Sequence, residues 1–331
     1  MAFTTDSKSY LMSALILKPP PISKSSRVAV LAPASAPLDN AALEKGIQVL
    51  ENRGLTVVDF FHSDERKGYL SASDTVRIHA INDVLNDSDI DAIFCLRGGY
   101  GCMRILDSLD YDAARRHPKL IVGYSDITAL HCAFYRHAGW TGIHGPMVAV
   151  DWPEIDESTE SDFWSLAGGA IHDPILGPGG ESLSAFRTGV SEGRLIGGNL
   201  AVFVRLLHTS YFPATNGAIL FLEETGEPPY RVDAMFAQLR LAGVLDNVGG
   251  IVLGEFSDCQ PPANQPSLTL DEVFTDYFNH VPYPVATGLK YGHIPVKTSI
   301  PFGVLARLVV TESDAHLRMI ESTTNADFTA S

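Results

Sequence analysis

Gly123-Tyr124-Ser125-Asp126-Ile127-Thr128 places a serine between the apolar run Leu120–Val122 and a helical pattern over 127–137. A serine on a tight strand-to-helix turn is lifted above a sheet, and the helix N-terminus beside it favours developing negative charge. Ser125 is therefore a candidate nucleophile. The same residues also suit a plain helix cap, which Ser and Asp commonly provide, and the match to the G-x-S-x-G elbow is partial. A serine nucleophile needs a base, and the base needs an orienting acid. Among the eleven histidines, His131 and His137 follow Ser125 but stand six apart, on different helix faces. His79, His117, His208 and His280 sit in ordinary helical or loop contexts. His293 differs, because Gly292 precedes it and Ile294-Pro295 follow it in a loop, where functional residues concentrate. For the acid, Glu223 and Glu224 end the apolar run Ile219-Leu220-Phe221-Leu222. A carboxylate there is shielded and must find a donor. A structural ion pair with Arg231 or Arg205 is the alternative use, and in a continuing strand the two glutamates face opposite ways.

The elements that would position these groups alternate from Arg27 onward. Apolar strands are expected over 27–32, 55–60, 92–96, 120–123 and 141–144. Between them lie helices opening at Asp39 and Ser73 and running to about Arg53 and Asn86. Short strands apolar on both faces, with amphipathic helices between them, describe an α/β fold with a parallel sheet covered on both sides. Ligands bind beyond the carboxyl ends of such strands, where both the loop Arg97-Gly98-Gly99-Tyr100-Gly101 and Ser125 fall. Acidic residues crowd 151–162, and Pro and Gly follow over 174–180, which reads as a solvated connection with one helix near 158–166. The second half is less regular: helices over 200–207, 230–242 and 270–278, strands over 218–222 and 250–254, and a hairpin formed by 302–311 and 316–320. The expected architecture is an N-terminal parallel-sheet α/β domain (27–150), an acidic linker (151–190) and a mixed α+β, barrel-like C-terminal domain (191–331), after an extension over 1–26.

Composition narrows the function classes. The 331 residues are 45% hydrophobic and 19% charged, with a formal net charge of −15. Such a surface repels nucleic-acid phosphates and anionic membranes, so neither is an expected partner. No apolar stretch reaches the roughly 18 residues of a membrane span. The run over 11–17 is followed by Lys18 and three prolines, which does not suit a signal peptide; Met12 offers an alternative start. Cys95, Cys102, Cys132 and Cys259 form no C-x-x-C and read as reduced thiols in a cytoplasmic protein. The glycines at 98, 99 and 101 fit neither nucleotide-binding pattern, and no H-E-x-x-H or paired Cys/His spacing suggests a metal.

Several separated motifs, in order, resemble the LD-carboxypeptidases, serine peptidases of the S66 type that trim murein peptides. They are Val30-Leu31-Ala32-Pro33-Ala34-Ser35, Arg97-Gly98-Gly99-Tyr100-Gly101, the Ser125 turn, His144-Gly145-Pro146, Gly197-Gly198-Asn199-Leu200, Leu222-Glu223-Glu224, Pro229-Tyr230-Arg231-Val232-Asp233, and Gly292-His293 followed by Pro301-Phe302-Gly303. The resemblance covers nearly everything from Arg27 to Ile320. It implies a triad of Ser125, His293 and Glu223, with backbone amides of Gly99 and Asp126 as the oxyanion hole. It implies a cleft between two domains, no cofactor or metal, a homodimer, and a murein tetrapeptide that loses its terminal D-alanine. Where family members often read Leu-Glu-Asp, this chain has Leu222-Glu223-Glu224, which leaves open which glutamate faces His293. Arg97, Arg231 and Lys290 adjoin the motifs and are candidate contacts for substrate carboxylates, with structural ion pairs as the alternative. A sister group in the same family hydrolyses an amide in a peptide–nucleotide antibiotic. A non-catalytic binding module in the same cleft is a further alternative.

Overall fold

The structure is a computed structural model that describes residues 15–61 and 65–325; most of the expected N-terminal extension, including Met12, lies outside the described residues. The chain forms two sheets. The first contains β1 (Arg27–Leu31), β2 (Thr56–Asp59), β3 (Ala92–Cys95), β4 (Leu120–Val122) and β5 (Gly142–His144). These five run β2-β1-β3-β4-β5, and the four pairings among them are parallel. Every residue of β3 and β4 is buried, as a parallel sheet covered on both faces requires. The covering helices start where capping side chains allow. Asp39 accepts the Ala41 amide at the start of α1 (Asn40–Asn52), and Ser73 accepts the Val76 amide at the start of α2 (Asp74–Asn86). Asp110 does the same for α3 (Tyr111–Arg116), and α4 (Thr128–Ala138) ends at Gly139 with φ of 72°.

The acidic stretch expected to be a solvated connection has more core than its charge suggests. It carries α5 (Glu157–Ala167), and Trp152 and Phe163 are fully buried, their rings 5.3 Å apart and Phe163 5.7 Å from Phe94 of β3. Even the acids of α5 are partly drawn in: Asp162 is only 17% exposed and accepts the Ser299 amide. β6 (Ser184–Arg187) then opens the second sheet.

That sheet runs β13-β12-β7-β8-β9-β10-β6. β7 (Gly189–Asn199), β8 (Ile219–Thr225), β9 (Gly250–Ser257) and β10 (Val285–Thr287) are parallel neighbours, flanked by antiparallel β12 (Leu305–Val310), β13 (Ala315–Met319) and β6. A bridge between Leu183 and Ala315 joins the two edges, so the sheet nearly closes into a barrel. α6 (Leu200–Arg205), α7 (Pro229–Leu241) and α8 (Leu270–Phe278) connect the parallel strands. The fold is thus the expected pairing of a parallel α/β layer with a mixed, barrel-like second half.

One expectation is revised. The C-terminal hairpin begins at Leu305, and Ile300–Phe302 is a separate strand, β11, antiparallel to β5 at the edge of the first sheet. Gly303, at φ of 82°, turns the chain between the two. Pro301 lacks an amide donor, which an edge strand tolerates. The loop that carries His293 therefore leaves the second sheet at β10 and enters the first at β11. Among the described residues no helix is long and apolar enough to cross a membrane, and the four cysteines are separate buried thiols.

Candidate active site

Ser125 stands between β4 and α4 with φ of 63°, a left-handed conformation that non-glycine residues seldom adopt and that clusters at functional sites. The loop after β3 closes on it. A Cβ added to Gly98 would sit 2.7 Å from Ser125 Cβ, 2.9 Å from its Oγ and 3.4 Å from the Asp126 amide. Only glycine permits that approach. The loop is held from the end of β1: Ser35 donates its amide to the Gly98 carbonyl (3.1 Å), and its hydroxyl accepts the Tyr100 amide (3.2 Å). β1 and β3 flank the point where strand order reverses, the usual binding crevice of such a sheet. The Asp126 side chain turns inward, where Oδ2 accepts the Cys102 amide at 2.8 Å; burial pushes its carboxyl above the ordinary range.

The second sheet supplies the other two groups. β8 continues through both glutamates, its register with β9 shifting between Leu222 and Glu224, and the two carboxylates take different work. Glu223 is fully buried, and its Oε2 lies 2.8 Å from His293 Nδ1. Its Oε1 accepts Asn199 Nδ2 at 3.2 Å. Glu224 is occupied elsewhere: Oε2 accepts the Ala201 amide (2.7 Å), and Oε1 accepts the Thr225 amide (2.9 Å) and Asn199 Nδ2 (3.0 Å). It caps α6, and burial raises its pKa. The pairing with His293 thus belongs to Glu223. Asn199 bridges both carboxylates, and its Oδ1 accepts the Val202 amide at 3.1 Å, which fixes which end of the amide faces the glutamates.

The halves meet at the site. The ring of Tyr124, the residue before Ser125, lies edge-on to His293 with centroids 5.1 Å apart. The Thr128 hydroxyl accepts the Asn199 amide at 3.1 Å. Ser125 is half-buried and the His293 side chain 24% exposed, above a floor of buried groups. His131 lies beneath the turn, with Nε2 3.0 Å from the Gly123 carbonyl, and stacks at 4.2 Å on His144. Burial lowers the pKa of both; His131 falls to about 4. Neutral His131 must therefore carry its proton on Nε2 to donate to that carbonyl.

The three basic candidates each have a partner within the chain. Arg97 donates to the Ala36 carbonyl (3.0 Å), Arg231 pairs with Glu227 (2.6 Å), and Lys290 pairs with Glu255 (2.7 Å). Sequence reasoning gave no role to Asn199, Lys297, Asp151 or Ser35. Asn199 was the most accessible of these, because an amide at the end of an apolar strand has to find a partner when buried. Chemically, the site holds a hydroxyl on a strained turn and an imidazole whose Nδ1 is held by a buried carboxylate, with the Tyr124 ring against that imidazole. That arrangement suits nucleophilic attack on a carbonyl.

Residues 28–145 match the LD-carboxypeptidase N-terminal domain, and residues 192–308 match the LD-carboxypeptidase C-terminal domain. The murein tetrapeptide carboxypeptidase of Pseudomonas aeruginosa is 33% identical over 294 residues, covering 85% of this chain and 92% of that protein. The microcin C7 self-immunity protein MccF of Escherichia coli is 28% identical over 78% of this chain and 83% of its own length. The crystal structure of muramoyltetrapeptide carboxypeptidase from Oxalobacter formigenes superposes with a TM-score of 0.79 at 28% identity, covering 89% of this chain and 98% of that one. With both halves matched in order around one site, the chain belongs to the LD-carboxypeptidase family.

Proposed function

We propose that this protein is a serine carboxypeptidase that releases the terminal D-alanine of a murein tetrapeptide through an acyl-enzyme. The observation that carries the reading is the 2.8 Å contact of His293 with fully buried Glu223, made beside the strained Ser125 turn. In this mechanism His293 Nε2 takes the Ser125 proton as Oγ attacks the scissile carbonyl. Glu223 holds Nδ1–H, so that Nε2 is the free base, and it stabilises the imidazolium that forms. The amides of Gly99 and Asp126 receive the oxyanion, each donor lowering the barrier by about 2.7–4 kcal/mol. His293 then protonates the leaving amine and activates the water that frees the acyl group. Arg97, Arg231 and Lys290 are the proposed contacts for the anionic substrate. No cofactor or metal takes part, the expected compartment is the cytoplasm, and the expected assembly is a homodimer.

The test is incubation with a tetrapeptide ending in D-alanine, with a peptidyl-nucleotide amide as the competing substrate. The tripeptide and free D-alanine should appear, EDTA should not slow the reaction, and Ser125→Ala should abolish it in a folded protein. Full turnover by Ser125→Ala, or loss with EDTA restored by zinc, would refute the mechanism. Hydrolysis of the nucleotide amide alone would move the substrate to the MccF type.

A further inference from the structure

Four residues beyond His293, Lys297 is buried, with its side chain only 2% exposed. Its ammonium donates to Asp151 Oδ1 at 2.7 Å and to the Tyr124 hydroxyl at 2.8 Å, and it lies 4.1 Å from the centroid of the Tyr124 ring. The circuit closes because Tyr124 OH is 3.3 Å from the same Asp151 oxygen, while Asp151 Oδ2 accepts the Met147 amide at 2.8 Å. Burial pushes the Tyr124 phenol well above its ordinary pKa, so it stays a neutral hydroxyl able to donate and accept at once. The backbone on either side is pinned as well. The Lys297 amide donates to Thr159 Oγ1 (3.0 Å), and the Ser299 amide donates to Asp162 Oδ2 (2.7 Å).

A buried ion pair is a poor way to gain stability, because desolvation offsets most of the attraction and well-packed apolar groups often serve as well. Its place here supplies another use. The peptide chain leads from Ser125 back to Tyr124, the Tyr124 hydroxyl is gripped by Lys297, and four residues lead from Lys297 back to His293. The ring of the same tyrosine meets the imidazole edge-on, with centroids 5.1 Å apart. The loop from one sheet is thereby clamped to the turn of the other at a single aromatic side chain.

We propose that Lys297 is a positioning residue: through Asp151 and Tyr124 it sets the His293 imidazole against the Ser125 turn. The inference rests on the reading of Ser125 and His293 as nucleophile and base. A group displaced by about 1 Å from its productive position costs about 10²-fold in rate.

The test is the double variant Lys297→Met with Asp151→Asn, which removes both buried charges together and keeps an oxygen for the Met147 amide. Rates are normalised to active sites titrated with a fluorophosphonate, so that a smaller folded fraction does not register. The expected result is a kcat for D-alanine release about 10²-fold below wild type, with KM changed by less than about threefold and labelling of Ser125 slowed in parallel. A folded double variant with wild-type kcat and labelling rate overturns the proposal. Tyr124→Phe is the second variant: it keeps the ring on His293 but removes the gripped hydroxyl, and should lower kcat about tenfold with KM retained. If the double variant does not fold, wild-type kcat in Tyr124→Phe overturns the proposal instead. Ser125→Ala separates the two failures. If it releases D-alanine at the wild-type rate, the nucleophile assignment falls; if it is inactive while the Lys297 variants are unimpaired, only the positioning role falls.

Discussion

Glu223→Gln is the sharpest test of how the base is held. The substitution is nearly isosteric, and the outcome depends on which way the new amide turns. Asn199 decides that. Its Nδ2 donates toward Glu223 Oε1 at 3.2 Å, and the Val202 amide at its Oδ1 keeps it from flipping. The oxygen of the new carboxamide must therefore face Asn199, and its NH2 must face His293 Nδ1, where the carboxylate oxygen stood at 2.8 Å. A donor opposite Nδ1 selects the imidazole tautomer with its proton on Nε2, which cannot accept the Ser125 proton. Inverting the tautomer in this way in a Ser-His-acid triad lowers kcat by about 10⁴, or about 5 kcal/mol of barrier. Stability should change little, by about 1 kcal/mol or roughly 2–4 °C, since a buried charge is removed and the Asn199 contact survives. The assay is D-alanine release from an L,D-peptide, beside a thermal melt followed by circular dichroism. Adding Asn199→Ala to the variant frees the new amide to turn its oxygen toward His293, and part of the rate should return. A folded Glu223→Gln protein with kcat within about tenfold of wild type would refute the reasoning.

Three further outcomes follow from neighbouring contacts. Glu224→Ala strands the Ala201 and Thr225 amides, at about 1–3 kcal/mol per unsatisfied donor, whereas Glu224→Gln keeps an acceptor; melts should separate these two, and both should retain far more activity than Glu223→Gln. Gly98→Ala drives a methyl to within 2.9 Å of Ser125 Oγ, so kcat/KM should fall by about 10²-fold or more in a protein whose melt is close to wild type; an unimpaired variant would mean that the loop does not close on Ser125. Acid should destabilise the fold through His131, which burial holds at about 4 against an unfolded value of 6.5. Between these values the unfolded chain binds more protons than the folded one, so stability falls as pH drops from 6.5 toward 4, by about 3 kcal/mol for this group alone. His131→Asn should flatten that slope in melts across the range, and an unchanged slope would contradict it.

How much of this was legible in the sequence depended on how local the signal was. The strands β1 to β5 and the caps at Asp39 and Ser73 follow from runs of apolar residues and from single side chains reaching neighbouring amides. The split between Glu223 and Glu224 was half legible: two adjacent acids at a strand end must find different partners, but which one holds His293 depends on α6, whose N-terminal amide claims Glu224. β11 was not legible, because Ile300-Pro301-Phe302 continues the texture of the hairpin and only Gly303 marks the break. Trp152 and Phe163 were masked by the acids around them, since net charge over a window does not say which side chains are buried, and Asp151 and Asp162 are themselves largely buried. Lys297 was the least legible. Nothing in Pro295-Val296-Lys297-Thr298 distinguishes a solvated lysine from a buried one, and its partners lie 146 and 173 residues away.

The position of β11 also bears on how the site is completed. The resemblance implies a cleft that brings the triad together, which would ordinarily leave two domains free to move about a hinge. Here His293 lies on a segment anchored at both ends, in the second sheet at β10 and in the first at β11. Around it the contact between the halves is buried and aromatic. His144 of β5 stacks on Phe302 and meets Phe221 and Tyr291 at 5.1 and 5.9 Å, and its Nδ1 lies 2.6 Å from the Tyr291 hydroxyl. Relative motion is the default for small polar interfaces and is suppressed where the contact is well packed and apolar. Separating these halves would expose Phe221, Phe302 and Tyr291 and leave the charges of Lys297 and Asp151 unpaired. The position of the His293 loop relative to the Ser125 turn is therefore set by the packed core.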